Sequence, residues 1–186
     1  VDALKRGQVI VYPTDTGYAF GCALSSVKGI TAIRKLKGLD EKSHKPLTMI
    51  VTELSEVGRY GVMSNSHFRL IRRLLPGPYT LILKASADVP RSMYNRHHEV
   101  GIRMPDHPIC SLLVGELGEP LLTGSVTPYD DGVPELEEPE AYEQQYAREV
   151  AVLVDAGPLW PDPSTVLRFV DGEVELVRQG KGEFNP

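Results

Sequence analysis

The sequence predicts an α/β fold: a twisted, open, mixed sheet with flanking helices. Three observations point there. Short β-branched and aliphatic runs alternate with segments whose apolar residues recur every three to four positions, the pattern of strands and helices laid on one sheet. Two strand runs are joined by Asp171-Gly172 alone, too little chain for a crossover helix, so at least one pair is antiparallel. The 186 residues, 41% of them hydrophobic, suffice for one well-buried core and fall short of two full domains. A single domain over residues 1–186 is expected.

In chain order, Val9–Tyr12, Leu47–Val51, Thr80–Leu83, Val100–Met104, Val152–Val154 and Thr165–Val170 read as strands bounded by Gly, Pro or charges. Val174–Val177 completes a hairpin across Asp171-Gly172. Helices are expected where Val27, Ile30, Ile33 and Leu36 recur, and again through Phe68, Ile71, Leu74 and Leu75. A third, in "PDHPICSLLVGELG", has Asp106 as a candidate cap, Pro108 in the first turn and Gly118 at the stop. The Pro- and acid-rich stretch from Tyr129 to Glu143 reads as an exposed loop leading into a short polar helix.

Composition narrows the function classes. A formal net charge of -5 gives no general field for holding nucleic acid, so any RNA or nucleotide contact must be local. Cys22 and Cys110 stand far apart, outside any CxxC or His-rich cluster, which argues against zinc or a disulfide framework and fits a reducing, cytoplasmic setting. No apolar run approaches the ~18 residues that span a bilayer, and "VDALKRG" lacks a signal-peptide core. The first residue is Val1 rather than Met, so natural residues ahead of it are to be expected.

Several local patterns carry chemistry. In "VIVYPTDTGYAFGC" an apolar strand stops at Pro13 and opens into Thr14, Asp15, Thr16, Gly17 and Tyr18. Hydroxyls past a strand end suit a polar ligand, since open α/β sheets place their sites there; an Asx or ST turn explains the same residues. Arg103 lies within an apolar strand, and a buried guanidinium needs a carboxylate or phosphate, from a ligand or from the chain itself. "KLKGLDEKSHKPL" gathers Lys35, Lys37, Lys42 and Lys45, either a phosphate grip or a solvated face. "PSTV" sets Ser164 and Thr165 at a strand entrance, and "VRQGKG" puts Arg178 at a strand end.

Other patterns exclude. Gly17 and Gly21 match neither GxxxxGK[ST] nor GxGxxG, and "GKGEF" around Lys181 reads as a plain loop. His97, His98 and Glu99 alternate faces with no third ligand in reach, which speaks against a protein-held metal. Trp160 reads as a loop-packing aromatic.

Taken together, these islands resemble the YrdC/YciO family, the threonylcarbamoyl-AMP synthase-like proteins. "VYPTDTGYAFGC" resembles its PT(D/E)T-x-YGLG, "KLKGL" with "KPL" its K-x-R and PL, and "LPGPYTLIL" its PG-x-(F/Y)T. "VGIRMPDHP", "GSVTP" in the place of S-x-N-P, "PSTV" and "VRQG" follow in order. The resemblance implies the YrdC-like fold, akin to double-stranded-RNA-binding α/β proteins, with a large positively lined cavity. It further implies condensation of L-threonine, bicarbonate and ATP, with Mg2+ on the triphosphate, into threonylcarbamoyl-AMP and pyrophosphate. That product serves modification of the tRNA adenosine beside the anticodon.

Carried over by position, Thr14, Thr16, Tyr18, Arg103 and Thr165 would bind threonine, Arg103 through its carboxylate. Lys37, Ser125, Thr127, Ser164 and Arg178 would bind the nucleotide. The chemistry asks for no protein nucleophile. A non-catalytic tRNA- or double-stranded-RNA-binding module using the same cationic cavity, and an enzyme acting on another carboxylate or acyl phosphate, are the alternatives. The chain departs from the synthase pattern at Leu39, where the family has Arg, and at Thr127, where it has Asn; with Ala19 and Gly124, these place it nearer the YciO branch. A charged hydrogen bond contributes about 1.5–3 kcal/mol, so the missing Arg lowers rate or affinity by roughly one to two orders of magnitude.

Overall fold

The computed structural model describes residues 1–39, 45–93, 95–127 and 135–185. Lys42 and the start of the acidic stretch at Tyr129 lie outside them. In chain order the elements are α1 (Asp2–Lys5), β1 (Ile10–Thr14), β2 (Gly17–Ala23), α2 (Val27–Leu36), β3 (Thr48–Ile50), α3 (Leu54–Tyr60), β4 (Gly61–Val62), α4 (Asn65–Leu74) and β5 (Tyr79–Ala85). A 3-10 turn (Arg91–Met93), β6 (Glu99–Arg103), α5 (Pro108–Leu117), β7 (Leu121–Ser125), α6 (Pro139–Gln145), β8 (Val152–Leu153), β9 (Thr165–Val170) and β10 (Glu173–Arg178) follow.

The strands form one sheet in the order β10-β9-β5-β6-β3-β7-β2-β1-β8, with β4 paired to β5 outside that path. It is mixed, as the sequence predicts. The pairs β1/β8, β3/β6 and β5/β9 are parallel, whereas β1/β2, β2/β7, β3/β7, β5/β6 and β9/β10 are antiparallel. Asp171 (φ 47°) and Gly172 (φ 89°) both adopt left-handed backbone, the primed turn that matches strand twist and that a DG pair favours.

Strand alternation sorts the core onto two faces. Val9 and Val11, with Phe20 and Leu122, join Ile30 and Ile33 of α2, Val57 of α3 and Ile71 of α4. Ile10, Tyr12, Ala19 and Ile50 turn the other way, onto Ala3 and Leu4 of α1 and onto Cys110, Leu113 and Val114 of α5. The α5 boundaries follow sequence chemistry with one shift. Pro108 opens the helix and Gly118 closes it in left-handed backbone (φ 79°), but the cap is His107, whose Nδ1 accepts from Ile109 N at 3.3 Å, rather than Asp106.

Cys22 and Cys110 are free and buried. Burial pushes both thiols up to about 12, so they act as small apolar packing groups. Trp160 is 69% exposed and does not pack as a loop aromatic. Among the described residues no helix is long and apolar enough to cross a membrane.

Candidate functional site

The hydroxyl cluster is the tip of a β-hairpin. β1 runs through Pro13 to Thr14, β2 starts at Gly17, and Asp15-Thr16 is the connection. Gly17 adopts φ 124°, a backbone region that suits glycine. Thr14 Oγ1 donates to Gly17 O at 2.7 Å, accepts from Thr16 N at 3.1 Å and lies 3.1 Å from Thr16 Oγ1. The local reading, an ST turn, is therefore realised. Its consequence is to hold Asp15 at the apex.

Arg103 ends β6, four strand-to-strand steps from β1. Arg103 Nη2 donates to Asp15 Oδ1 at 2.5 Å, and the two side chains are 7% and 10% exposed. The guanidinium thus meets a carboxylate of the chain itself, not the open hollow the family resemblance implies. Behind the turn, Cys110 Sγ donates to Pro13 O at 3.8 Å. Burial lowers the pKa of His107 while the charges of Asp15 and Asp106 pull it back up.

The C-terminal loop closes over the same tip. Lys181 Nζ donates to Asp15 O at 2.8 Å and Asp162 N donates to Thr16 O at 3.1 Å, so "GKGEF" is more than a plain loop. Arg178 Nε and Nη2 donate to Ser164 O at 3.2 and 2.8 Å, and Ser164 Oγ lies 2.8 Å from Thr80 Oγ1. Thr165 Oγ1 donates to Gly182 O and accepts from Gly180 N at 2.9 Å. That hydroxyl is already committed to the chain.

The remaining predicted residues gather around β2 and β7. Lys37, the residue after α2, lays its stem over Gly124, where a Cβ would come 2.7 Å from Lys37 Cδ; its Nζ donates to Ser125 O at 2.6 Å. Burial lowers the Lys37 pKa, and the neighbouring charge of Lys45 adds to the effect. Leu39 packs against the core, while Arg34 donates from Nε and Nη2 to Ser92 O at 3.1 and 2.9 Å. Tyr18 donates its backbone N–H to Glu137 Oε2 at 2.6 Å and its hydroxyl to Gly157 O at 2.8 Å; that hydroxyl accepts from Ala156 N at 2.8 Å, and Tyr18 O accepts from Val126 N at 3.0 Å. Thr127 Oγ1 donates to Glu137 Oε1 at 2.8 Å and lies 2.7 Å from Tyr142 Oη.

Hydrogen bonds and ion pairs therefore link Thr14, Thr16 and Arg103, through Asp15, Lys181 and Asp162, with Ser164, Thr165 and Arg178. They group Tyr18 with Thr127, through Glu137, and Lys37 with Ser125, at the adjoining strands. Cavities of about 610, 470, 390 and 170 Å³ open elsewhere, and none of the four is lined by Arg103, Lys37, Ser164 or Arg178. Sequence reasoning missed the roles of three residues. Asp15 was visible only as a turn former, Lys181 as loop, and Glu137, 2% exposed, as part of a solvated acidic run.

A mixed sheet bearing this ordered set of hydroxyls and cations defines the class. Residues 2–180 match the Sua5/YciO/YrdC family model, whose description is telomere recombination, and the chain belongs to that family. It is 33% identical over 187 residues to the Uncharacterized protein YciO of Escherichia coli K12, covering 100% of this chain and 89% of that one. The crystal structure of E. coli YciO superposes with a TM-score of 0.87 at 32% identity, over 98% of this chain and 87% of that one. Threonylcarbamoyl-AMP synthase of Bos taurus is 31% identical over 186 residues, 97% of this chain and 63% of that protein. The P. abyssi Sua5 complexed with L-threonine, at 22% identity and a TM-score of 0.82 over 96% of this chain and 52% of that one, shares the fold.

Proposed function

We propose that the chain is a threonylcarbamoyl-AMP synthase-like enzyme, which binds ATP and L-threonine and with bicarbonate forms threonylcarbamoyl-AMP and pyrophosphate. The observation that carries this reading is the convergence of Thr14, Thr16, Arg103, Ser164 and Arg178 on one region in a chain 31% identical to a threonylcarbamoyl-AMP synthase. The threonine-bound Sua5, alike in fold, supports the choice of amino acid.

In this reading Arg103 neutralises the threonine carboxylate and Thr16 faces its polar groups. Thr14, Tyr18 and Thr165, their polar atoms spent within the chain, shape the walls. Lys37, Ser125, Thr127, Ser164 and Arg178 serve the nucleotide, and magnesium enters with the triphosphate. The threonine amine joins the carbon of bicarbonate as water is lost. A carbamate oxygen then attacks the α-phosphorus, the bond to the bridging oxygen breaks, and pyrophosphate departs. Positioned cations offset the charge that develops on the phosphates, so no side chain need act as nucleophile. The product is destined for a tRNA adenosine, which sets the protein in the cytoplasm. The relatives named above lend the RNA-binding alternative no support.

The test is calorimetric titration with Mg-ATP and with L-threonine, singly and together, on wild type and on Leu39→Arg. Both ligands are expected to bind wild type, and the added guanidinium is expected to tighten ATP by about ten- to a hundredfold. Absence of heat with ATP for both proteins would rule the reading out.

A further inference from the structure

β8 is the last strand of the sheet, and its outer side is open. Ala151 N donates to Val9 O and Val154 N to Val11 O, both at 2.8 Å, so ladder bonds along β1 extend past the strand itself. On the other side no strand pairs with it among the described residues. Ala151 and Val152 are exposed, Val152 by 45%. An open edge presents unpaired N–H and C=O groups that recruit another strand, and natural edges are commonly guarded by proline, charge or a bulge. Residues 151–154 read AVLV, with neither proline nor charge.

Two hollows share this edge, and they are opposite in charge. One, of about 610 Å³, lies at the start of the segment beside Gln8 and Val9 and carries Arg6, Lys28 and Arg148 against Glu149. The other, of about 470 Å³, reaches past the end of β8 and carries Glu140, Glu143 and Asp155, with no basic residue in its described lining. Ala147, Val150, Ala151 and Val152 line both. The three cations and three acids are all exposed and form no ion pair with a described residue. The edge therefore runs from positive to negative along the strand. Beside a parallel copy of itself it would set like charge against like. Beside an antiparallel copy, related by a twofold axis, the basic start of each chain meets the acidic end of the other, and both contacts form at once. Tyr142 and Tyr146 in the wall of the acidic hollow add ring faces that suit a guanidinium. A foreign strand would have to carry the same gradient reversed, which a second copy supplies by symmetry.

We propose that the β8 edge is the interface of a homodimer, in which residues 151–154 of two copies pair antiparallel and continue one sheet into the other. Each acidic hollow takes the basic end of its partner. Backbone pairing supplies the contact common to all edges, and the two reciprocal charge contacts fix the register and exclude the parallel arrangement.

The test is sedimentation equilibrium of the full chain with two charge-reversed variants, Lys28→Glu/Arg148→Glu and Glu140→Lys/Glu143→Lys. At about 100 μM and low salt, wild type is expected to sediment as a dimer, with a dissociation constant that rises at least about tenfold in about 0.5 M salt. Each variant alone places like charge against like at both contacts, and is expected to dimerise at least about tenfold more weakly than wild type. Mixed in equal amounts they are complementary again, and a heterodimer about as tight as wild type is expected. A wild type that stays monomeric overturns the proposal and leaves the edge to a different partner. A dimer that both variants form as well as wild type lies on another face and overturns it equally, as does failure of the folded variants to pair when mixed. Should a variant not fold, the salt series decides, because a dimer indifferent to salt contradicts the charge contacts.

Discussion

Arg103→Met is expected to lower the unfolding free energy by about 3–5 kcal/mol, the cost of leaving one member of a buried ion pair uncompensated. Arg103 and Asp15 are 7% and 10% exposed at the side chain, so water does little to screen the carboxylate that remains. Asp15→Asn is expected to destabilise as well, by stranding the guanidinium. The double variant removes both charges, and a methionine stem carries no charge to desolvate. It is therefore expected to recover a large part of the loss, with a coupling energy of about 1–3 kcal/mol in urea denaturation. Additive effects of the two substitutions would show that the pair does not form in solution. The same variants separate fold from function, because the double variant keeps the sheet and lacks the charge that threonine needs.

Gly180→Ala is expected to release the C-terminal loop. A Cβ at this position would come 2.2 Å from Pro163 O and 2.6 Å from Ser164 C and O, all backbone atoms that cannot rotate aside. The loop must lift, at about 1–3 kcal/mol. Lifting breaks Gly180 N to Thr165 Oγ1 and Lys181 N to Pro163 O, 2.9 and 2.8 Å long, and draws Lys181 Nζ off the Asp15 turn. Nucleotide affinity is expected to fall together with stability, since Ser164 and Arg178 flank the same loop. Gly115→Ala provides the contrast. It lies within α5 with nothing inside 4 Å of its added Cβ, so it is expected to stabilise by about 0.5–1 kcal/mol with nucleotide binding intact. Equal behaviour of the two alanines in denaturation and titration would contradict the loop's assigned place.

Much of this architecture was legible. The β9–β10 hairpin announced itself because Asp-Gly is the pair that a primed turn requires, and α5 because its proline and glycine mark start and stop. β2 and β7 were not foreseen. β2 (GYAFGCA) and β7 (LLTGS) carry glycine and alanine where β1, equally buried, has a β-branched run, so neither shows the composition that marks a strand. β2 also enters through Asp15-Thr16, which lacks the sequence mark of a tight hairpin.

The site was legible as a set of residue types and not as a set of partners. Asp15 and Arg103 are 88 positions apart, on elements that are not neighbours in the sheet, so no local pattern encodes their meeting. Glu137 lies in a run of acidic residues, and nothing in its neighbours marks it as a carboxylate that turns inward to Tyr18 N and Thr127 Oγ1. Lys37 was picked out for its charge, but its seat over Gly124 depends on the pairing of β7 with β2.

The most direct measurement of the central claim is pyrophosphate release from Mg-ATP by the full chain at high enzyme concentration, with threonine and bicarbonate omitted in turn. Release that requires both, and that stops in Arg103→Met/Asp15→Asn although the variant is folded, is the predicted result. Release indifferent to threonine and bicarbonate, or none with all three substrates present, would contradict it.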